Sequence, residues 1–340
     1  MARCLTVLVA VIAIGFAALK YGVYERVYDN GLGMLSEPRD VFRVTNTSSL
    51  TGRTALVTGC KVGGIGFETA LAMANAGAHV FVHTRSLDAS RDTIAALLQR
   101  NSSLQLTPIA ADLADLDDVV RMTRHFPNVP LDFLFLNAAV LFSNARQTTA
   151  QNIELMMGVN HVAHALLALR LLPQLRQAKN GARVVVVASD AYKFGELSAL
   201  SNGTLESASP WHTFLSYGSS KLANVAFAVE FDRRFRTQGV RSVALHPGVI
   251  STSFRAKVKA EETFDAKLMV ALFWVLDGVM SKSVSQGAST SLYAALGPAS
   301  LGGQYVDDSQ PTPLTSDVAA AVANLDTFWG NTLALIGDRL

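Results

Sequence analysis

The chain alternates between two hydrophobic rhythms. Short, nearly continuous apolar runs fall at residues 54–58, 80–83, 104–110, 131–136, 182–188, 241–246 and 304–306. Between most of them lie longer stretches with helical spacing, such as 67–76 and 162–172. Continuous apolar runs suit strands buried on both faces, and helices between them suit parallel pairing. The helix over 67–76 should stop at Gly77, because a glycine just past the last periodic residue accepts the left-handed backbone that closes a helix. The pattern predicts an α/β fold: one doubly wound domain with a seven-stranded, mostly parallel sheet and helices on both faces.

A different pattern opens the chain. Residues 4–19 are uninterrupted apolar sequence between Arg3 and Lys20. That falls short of the ~20 residues that span a bilayer core, but adding 21–24, with Lys20 reaching to the headgroups, nearly closes the gap. Residues 1–24 read as an N-terminal hydrophobic helix that anchors the protein to the endoplasmic reticulum or another intracellular membrane. A cleaved signal peptide is the competing reading. Positive charge on both flanks leaves the orientation open. Residues 25–50 mix charge with Gly31, Gly33 and Pro38 and show no period, so they read as a linker. The main domain is expected over 51–310 and a helical extension over 311–340.

Composition mostly excludes. Of 340 residues, 50% are hydrophobic and 16% charged, and the net charge is +2. So small a charge, with no basic stripe, argues against nucleic acid as a partner. A mean hydropathy of +0.28 agrees with membrane contact. Cys4 and Cys60 make neither a disulfide framework nor a metal spacing. His161 and His164 lie three apart but lack a third ligand, so no metal is expected and packing or solvent contact is the reading for both.

Candidate chemistry begins where the first strand runs into Gly59-Cys60-Lys61-Val62-Gly63-Gly64-Ile65-Gly66 and then a helix. Glycines there permit a tight turn and let backbone approach a pyrophosphate at the helix N-terminus. An NAD-binding chain usually places a carboxylate ~20 residues on, for the ribose 2′-hydroxyl. Here the second strand ends in Val82-His83-Thr84-Arg85-Ser86, with no carboxylate before Asp88. Arg85 could instead pair with a 2′-phosphate, which favours NADP(H).

Farther on, Tyr217 and Lys221 stand four apart, one helical turn, on a shared face. A phenol with a pKa near 10 becomes a usable base when an ammonium stabilises its phenolate. The strand over 182–188 runs into Ser189, putting a hydroxyl at the carboxyl end of a parallel strand, where such sheets bind ligands.

These residues, taken in order with Thr58-Gly59, Gly64-Ile65-Gly66, Asp112-Leu113, Asn137-Ala138-Ala139, Asn160 and Pro247-Gly248…Thr252, resemble the short-chain dehydrogenase/reductase family over roughly 51–310. Within it the chain is most similar to the retinol dehydrogenase and WW-domain oxidoreductase branch, through Ser219-Ser220-Lys221-Leu222-Ala223-Asn224, His246-Pro247-Gly248-Val249, Gln286-Gly287-Ala288…Tyr293 and Gly303-Gln304-Tyr305. The resemblance implies a Rossmann-type fold and alcohol–carbonyl interconversion. It makes Tyr217 the general acid/base and Lys221 its partner and a ribose ligand. Ser189 would bind the substrate oxygen, and Asn160 would hold a water that relays protons toward Lys221. Gly59, Lys61, Gly64, Ile65, Gly66, Arg85, Asp112, Leu113, Asn137, Tyr217, Lys221, Pro247, Gly248, Ile250 and Thr252 would contact the cofactor. Two departures stand out: the glycine loop has one residue more than the family's T-G-x-x-x-G-I-G, so that Gly63 or Gly64 could be its second glycine, with Gly64 aligned because Ile65-Gly66 follow it, and Ala139 replaces the third-position glycine of the asparagine motif.

Between Ser189 and Tyr217 lie Tyr192, Phe194, Trp211 and Phe214, candidates to line an apolar pocket. A second apolar stretch, 268–279, includes Phe273 and Trp274. With the anchor they point to a lipophilic substrate of the retinoid, sterol or fatty-aldehyde class. A homodimer is a further expectation. The alternative from another class is a non-catalytic NADP(H)-binding membrane scaffold or redox sensor.

Overall fold

The computed structural model describes residues 29–141, 145–206, 210–250 and 282–340. The anchor expected over 1–24, Thr252 and the apolar stretch 268–279 lie outside the described residues. All seven expected runs form strands: β1 (Thr54–Val57), β2 (His79–Thr84), β3 (Leu106–Ala110), β4 (Phe133–Leu136), β5 (Ala182–Val187), β6 (Val240–His246) and β7 (Tyr305–Asp307). An eighth, β8 (Gln310–Pro311), corrects the expected seven and pairs antiparallel with β7. It turns back through Asp308 and Ser309, whose φ values of 49° and 61° are both left-handed. That is the backbone a two-residue hairpin requires. A strand of two residues leaves no apolar run to read.

The order across the sheet is β3-β2-β1-β4-β5-β6-β7-β8. Reversal of direction between β1 and β4 creates a crevice at the carboxyl ends of the strands, where open α/β sheets take their ligands. The main helices are α1 (Pro38–Val44), α2 (Ile65–Asn75), α3 (Leu87–Arg100), α4 (Leu116–His125), α5 (Ala163–Arg170), α6 (Thr213–Phe235), α7 (Val284–Leu296) and α8 (Asp326–Ile336). Strand side chains alternate between two cores, as the period of two demands. Leu56, Leu134, Leu136, Val184, Val186 and Ala244 face α4, α5, α6 and α8. Ala55, Val57, Phe133, Phe135, Val185 and Val243 face α1, α2, α3 and α7.

Helix α2 ends as its glycine predicts. Gly77 has φ 98°, its N–H donates to Ala74 O at 2.9 Å, and Ala78 N–H donates to Met73 O at 3.1 Å. These are the two bonds of a Schellman closure. The described part of the expected linker, by contrast, is packed. Glu37 and Asp40 cap the short helix α1 reciprocally, and Val41, Leu32, Met34 and Leu50 are buried. Ser285 Oγ donates to Glu37 Oε2 at 2.6 Å, and Asn30 Nδ2 donates to Ser309 O at 2.7 Å. Four scattered anchors set no period, so the pattern hid them. Residues 311–340 also join the body, burying Phe328, Trp329 and Ile336 in the core shared with α5 and α6. Among the described residues no helix is long and apolar enough to cross a membrane.

Candidate active site

The turn after β1 is built so that backbone, not side chain, faces the crevice. Gly59 has φ 70°, and a Cβ there would lie 2.7 Å from Ala138 Cα. A Cβ on Gly66 would meet Asn137 Nδ2 at 2.5 Å and Gly59 O at 2.8 Å. Both glycines are therefore forced by close approach. Of the two candidates for the second glycine, Gly63 holds the left-handed position at φ 75°, whereas Gly64 is the extended N-cap directly ahead of Ile65. Gly64 offers no side chain to cap α2, so an anionic ligand can meet the helix N-terminus there. Lys61 lies exposed on the same loop. Cys60 faces inward instead; burial pushes its thiol up to about 12, and it is an unreactive core residue.

Asn137, at the end of β4, locks this turn to the next strand. Its Nδ2 donates to Thr58 O at 2.7 Å, and its N–H donates to Thr58 Oγ1 at 2.8 Å. Arg85 and Asp112, at the ends of β2 and β3, meet at 3.8 Å. The arginine side chain is 74% exposed, so this pair is weak and leaves the guanidinium available. Asp112 Oδ1 also accepts from Ala114 N–H, and Leu113 is buried beneath. Asp88, the first carboxylate after β2, is turned to solvent and pairs with Arg91. The uncapped α2 N-terminus, the two Cβ-excluding glycines and the cations Lys61 and Arg85 fit a dinucleotide that carries an extra phosphate.

Ser189, Tyr217 and Lys221 converge at the end of β5. The Tyr217 phenol is hydrogen-bonded to the Ser189 side chain, and Ser189 Oγ also accepts from Ala191 N–H at 3.2 Å. Lys221 Nζ lies 5.6 Å from the Tyr217 ring centroid and donates to Val187 O at 2.9 Å. Burial pushes the Tyr217 phenol up to about 12, against a downward pull from Ser189. Burial likewise pushes the Lys221 ammonium down to about 7. The lysine expected to lower the tyrosine is thus itself driven toward neutrality, and the phenol is held protonated at neutral pH.

Asn160 sits in a π-turn, Gly158–Val162, just ahead of α5. Such turns interrupt helices at functional positions. Its side chain is committed to structure: Oδ1 accepts from Val140 N–H at 2.8 Å, and Nδ2 lies 3.0 Å from both Val140 O and Ser220 Oγ. Ser220 Oγ in turn donates to Tyr217 O at 2.8 Å. Of the expected cofactor contacts after β6, Pro247 is buried, and the Ile250 side chain packs on Gly287. Tyr192, expected in an apolar pocket, is core instead: it is 1% exposed and meets Tyr305 edge-on at 5.0 Å. Phe194 and Phe214 stay near the surface, 5.1 Å apart. Trp211 lines a cavity of about 240 Å³ with Arg146, Glu154 and Met157 and with Ser216 and Ser219, which flank Tyr217 on α6.

The sequence profile described as short chain dehydrogenase matches residues 53–263. The chain belongs to that family. Human (Homo sapiens) WW domain-containing oxidoreductase is 32% identical over 302 residues, covering 85% of this chain and 69% of that protein. Retinol dehydrogenase 12 of Mus musculus is 30% identical over 297 residues, covering 86% and 89%. Both identify the branch. Among solved structures, an uncharacterized protein from Mycobacterium Paratuberculosis superposes with a TM-score of 0.63 at 26% identity, covering 85% of this chain and 94% of that one.

Two residues of this short-chain dehydrogenase escape a reading by motif. Lys282, 1% exposed at its side chain, forms an ion pair with Asp308 and backs the Pro247–Gly248 turn: a Cβ on Gly248 would lie 2.7 Å from its Cδ. The only local signal is the capping box that follows it, Ser283 with Gln286. The other is His164, whose Nε2 lies 3.0 Å from Thr58 Oγ1, 106 residues away in sequence. His161 is packed in the core, one of the two expected readings: it is hydrogen-bonded to Thr332, edge-on to Phe227 and tilted against Phe328.

Proposed function

We propose that the protein is an NADP(H)-dependent oxidoreductase that interconverts an alcohol and a carbonyl on a lipophilic substrate of the retinoid, sterol or fatty-aldehyde class. The observation that carries this reading is the Ser189–Tyr217–Lys221 cluster beside an uncapped, glycine-lined helix N-terminus. NADP(H), when bound, exchanges a hydride with the substrate carbon. Ser189 and Tyr217 would hold the substrate oxygen, and the protonated phenol is set to donate as alkoxide character develops, which favours carbonyl reduction. Lys221, on α6 with its ammonium against the end of β5, would bind the ribose and stabilise the phenolate left behind. Asn160 would support the arrangement through Ser220, its side chain being committed to Val140 and Ser220. Asn137, Gly59, Gly64, Gly66, Pro247 and Gly248 would shape the cofactor cradle, with Thr252 beyond.

Preference for NADP(H) over NAD(H) rests on Arg85 and Lys61 and on Asp88 turning away. The lipophilic class rests on Phe194 and Phe214 at the surface near Tyr217, and on the apolar residues 4–19, which would hold the protein on an intracellular membrane. The test is oxidation of NADPH and NADH by detergent-solubilised full-length protein against a panel of lipophilic aldehydes, with Tyr217→Phe alongside. Turnover with NADPH should fall roughly 10²–10⁴-fold in the variant while NADPH still binds. Preference for NADH would remove the role given to Arg85. NADPH binding without turnover of any carbonyl would favour a scaffold or sensor.

A further inference from the structure

We propose that His164 is a positioning residue that couples the dinucleotide-binding turn to the helix bearing Tyr217, through a neutral imidazole protonated at Nδ1. The inference rests on the function proposed above. His164 is 2% exposed, at the second position of α5, and both ring nitrogens have partners. Nδ1 lies 3.0 Å from the main-chain oxygen of Asn160. A carbonyl oxygen only accepts, so Nδ1 carries the proton.

Counting lone pairs decides the other nitrogen. Thr58 Oγ1 already accepts from Asn137 N–H at 2.8 Å and from Ala138 N–H at 3.0 Å. A hydroxyl has two acceptor sites and one proton, so it has no site left for a third N–H. Phe135 O, 3.1 Å from the same hydroxyl, already accepts from Thr58 N–H at 3.0 Å. A carbonyl oxygen has two lone pairs, so the single Thr58 proton has both Phe135 O and His164 Nε2 within reach. A protonated Nε2 would have no acceptor there, so Nε2 is bare. Charging the ring would place an N–H against that saturated hydroxyl; burial, Lys221 and His83 also disfavour the charged form.

One chain of hydrogen bonds follows. From the Asn137 N–H, under the glycine turn, it passes through the Thr58 hydroxyl and the His164 ring to the Asn160 carbonyl, and from the Asn160 side chain through Ser220 to the carbonyl of Tyr217. Its two halves serve different ends. The Thr58 bond holds the strand end that cradles the cofactor, and the Asn160 bond holds the π-turn that supports the catalytic helix. His164→Gln places an acceptor near Nε2 and loses the Nδ1 donor; His164→Asn does the reverse.

The experiment uses the full chain in detergent with ¹⁵N-histidine labelling. Nitrogen chemical shifts of the wild type should show His164 protonated at Nδ1 and bare at Nε2, unchanged between pH 8 and 5.5. NADPH dissociation constants and kcat are then measured for both variants. His164→Asn should weaken NADPH binding roughly tenfold with kcat nearly kept, and His164→Gln should lower kcat roughly tenfold with binding nearly kept, one hydrogen bond being lost in each. A proton on Nε2, or equal losses in both variants that simply track stability, would overturn the coupling. The nitrogen shifts are read on the wild type, so they decide even if a variant does not fold. Wild type that binds no NADPH sinks the proposed function, whereas wild type that binds and turns over with the wrong tautomer sinks this inference alone.

Discussion

At the scale of single residues, the cofactor turn makes two glycines unequal. Gly63 and Gly59 share a left-handed backbone, but a side chain at Gly63 meets nothing within 4 Å, whereas one at Gly59 collides with the Ala138 backbone. Gly63→Ala should cost about 1–2 kcal/mol for backbone strain alone. Gly59→Ala should cost roughly 1–3 kcal/mol more for overpacking, and should weaken NADPH binding as well; urea denaturation and fluorescence titration of both variants check this. Tyr217, Lys221 and Ser189 were legible because their spacing is local: one helical turn, and one strand end. His164 and Lys282 were not, since each acts through a partner that only the fold brings near. A histidine three residues from another reads as packing until its ring is seen against Thr58.

At the scale of elements, the end of β6 depends on what lies behind it. Lys282 N–H donates to Val249 O at 2.8 Å, joining the residues on either side of the 251–281 segment, while its ammonium pairs with Asp308 in the β7–β8 turn. Lys282→Met keeps the stem against Gly248 but strands Asp308. Losing one partner of a buried pair costs about 3–5 kcal/mol; Asp308 is 17% exposed at its side chain, so the expected loss is smaller, roughly 2–4 kcal/mol. Chemical denaturation measures it, and the Michaelis constant for NADPH should rise with it, because the turn after β6 loses its backing. The strands were readable here and the turn between β7 and β8 was not. Apolar runs announce a buried strand, but a two-residue hairpin is specified by left-handed backbone at Asp308 and Ser309, residues that carry no glycine signal.

At the scale of the molecule, buried titratable groups set the response to pH. Burial pushes His83 and His246 down to about 4, and His161 and His164 to about 3. An unfolded histidine titrates near 6.5, so below that pH the unfolded chain binds more protons and stability falls as pH drops toward 4. Asp307, pushed up to about 7 chiefly by burial, works the other way and offsets one of the four. Lys221, pushed down to about 7 from 10.5, adds stability as pH rises between those values. Thermal melts from pH 4.5 to 9.5 should therefore show a steep acid limb below about 6.5 and a maximum on the alkaline side of neutrality. His161→Gln should shallow the acid limb; an unchanged limb would mean that His161 is already charged in the folded protein.

The sequence alone determined the α/β architecture, seven of the eight strands, the family and the Ser189–Tyr217–Lys221 cluster. The architecture and strands follow from periodicity, the Tyr217–Lys221 pair from short spacing, and the family from the resemblance of its ordered motifs; all three survive in one dimension. The tertiary structure alone decided that residues 29–50 pack rather than hang loose, that Tyr192 is core, and that Asn160 spends its side chain on Val140 and Ser220. It alone revealed that the glycine turn and the helix bearing Tyr217 are linked by hydrogen bonds through His164. The physical reason is the same each time: a buried polar group must find its partners, and which partner it finds depends on strand order, not on neighbours in the chain.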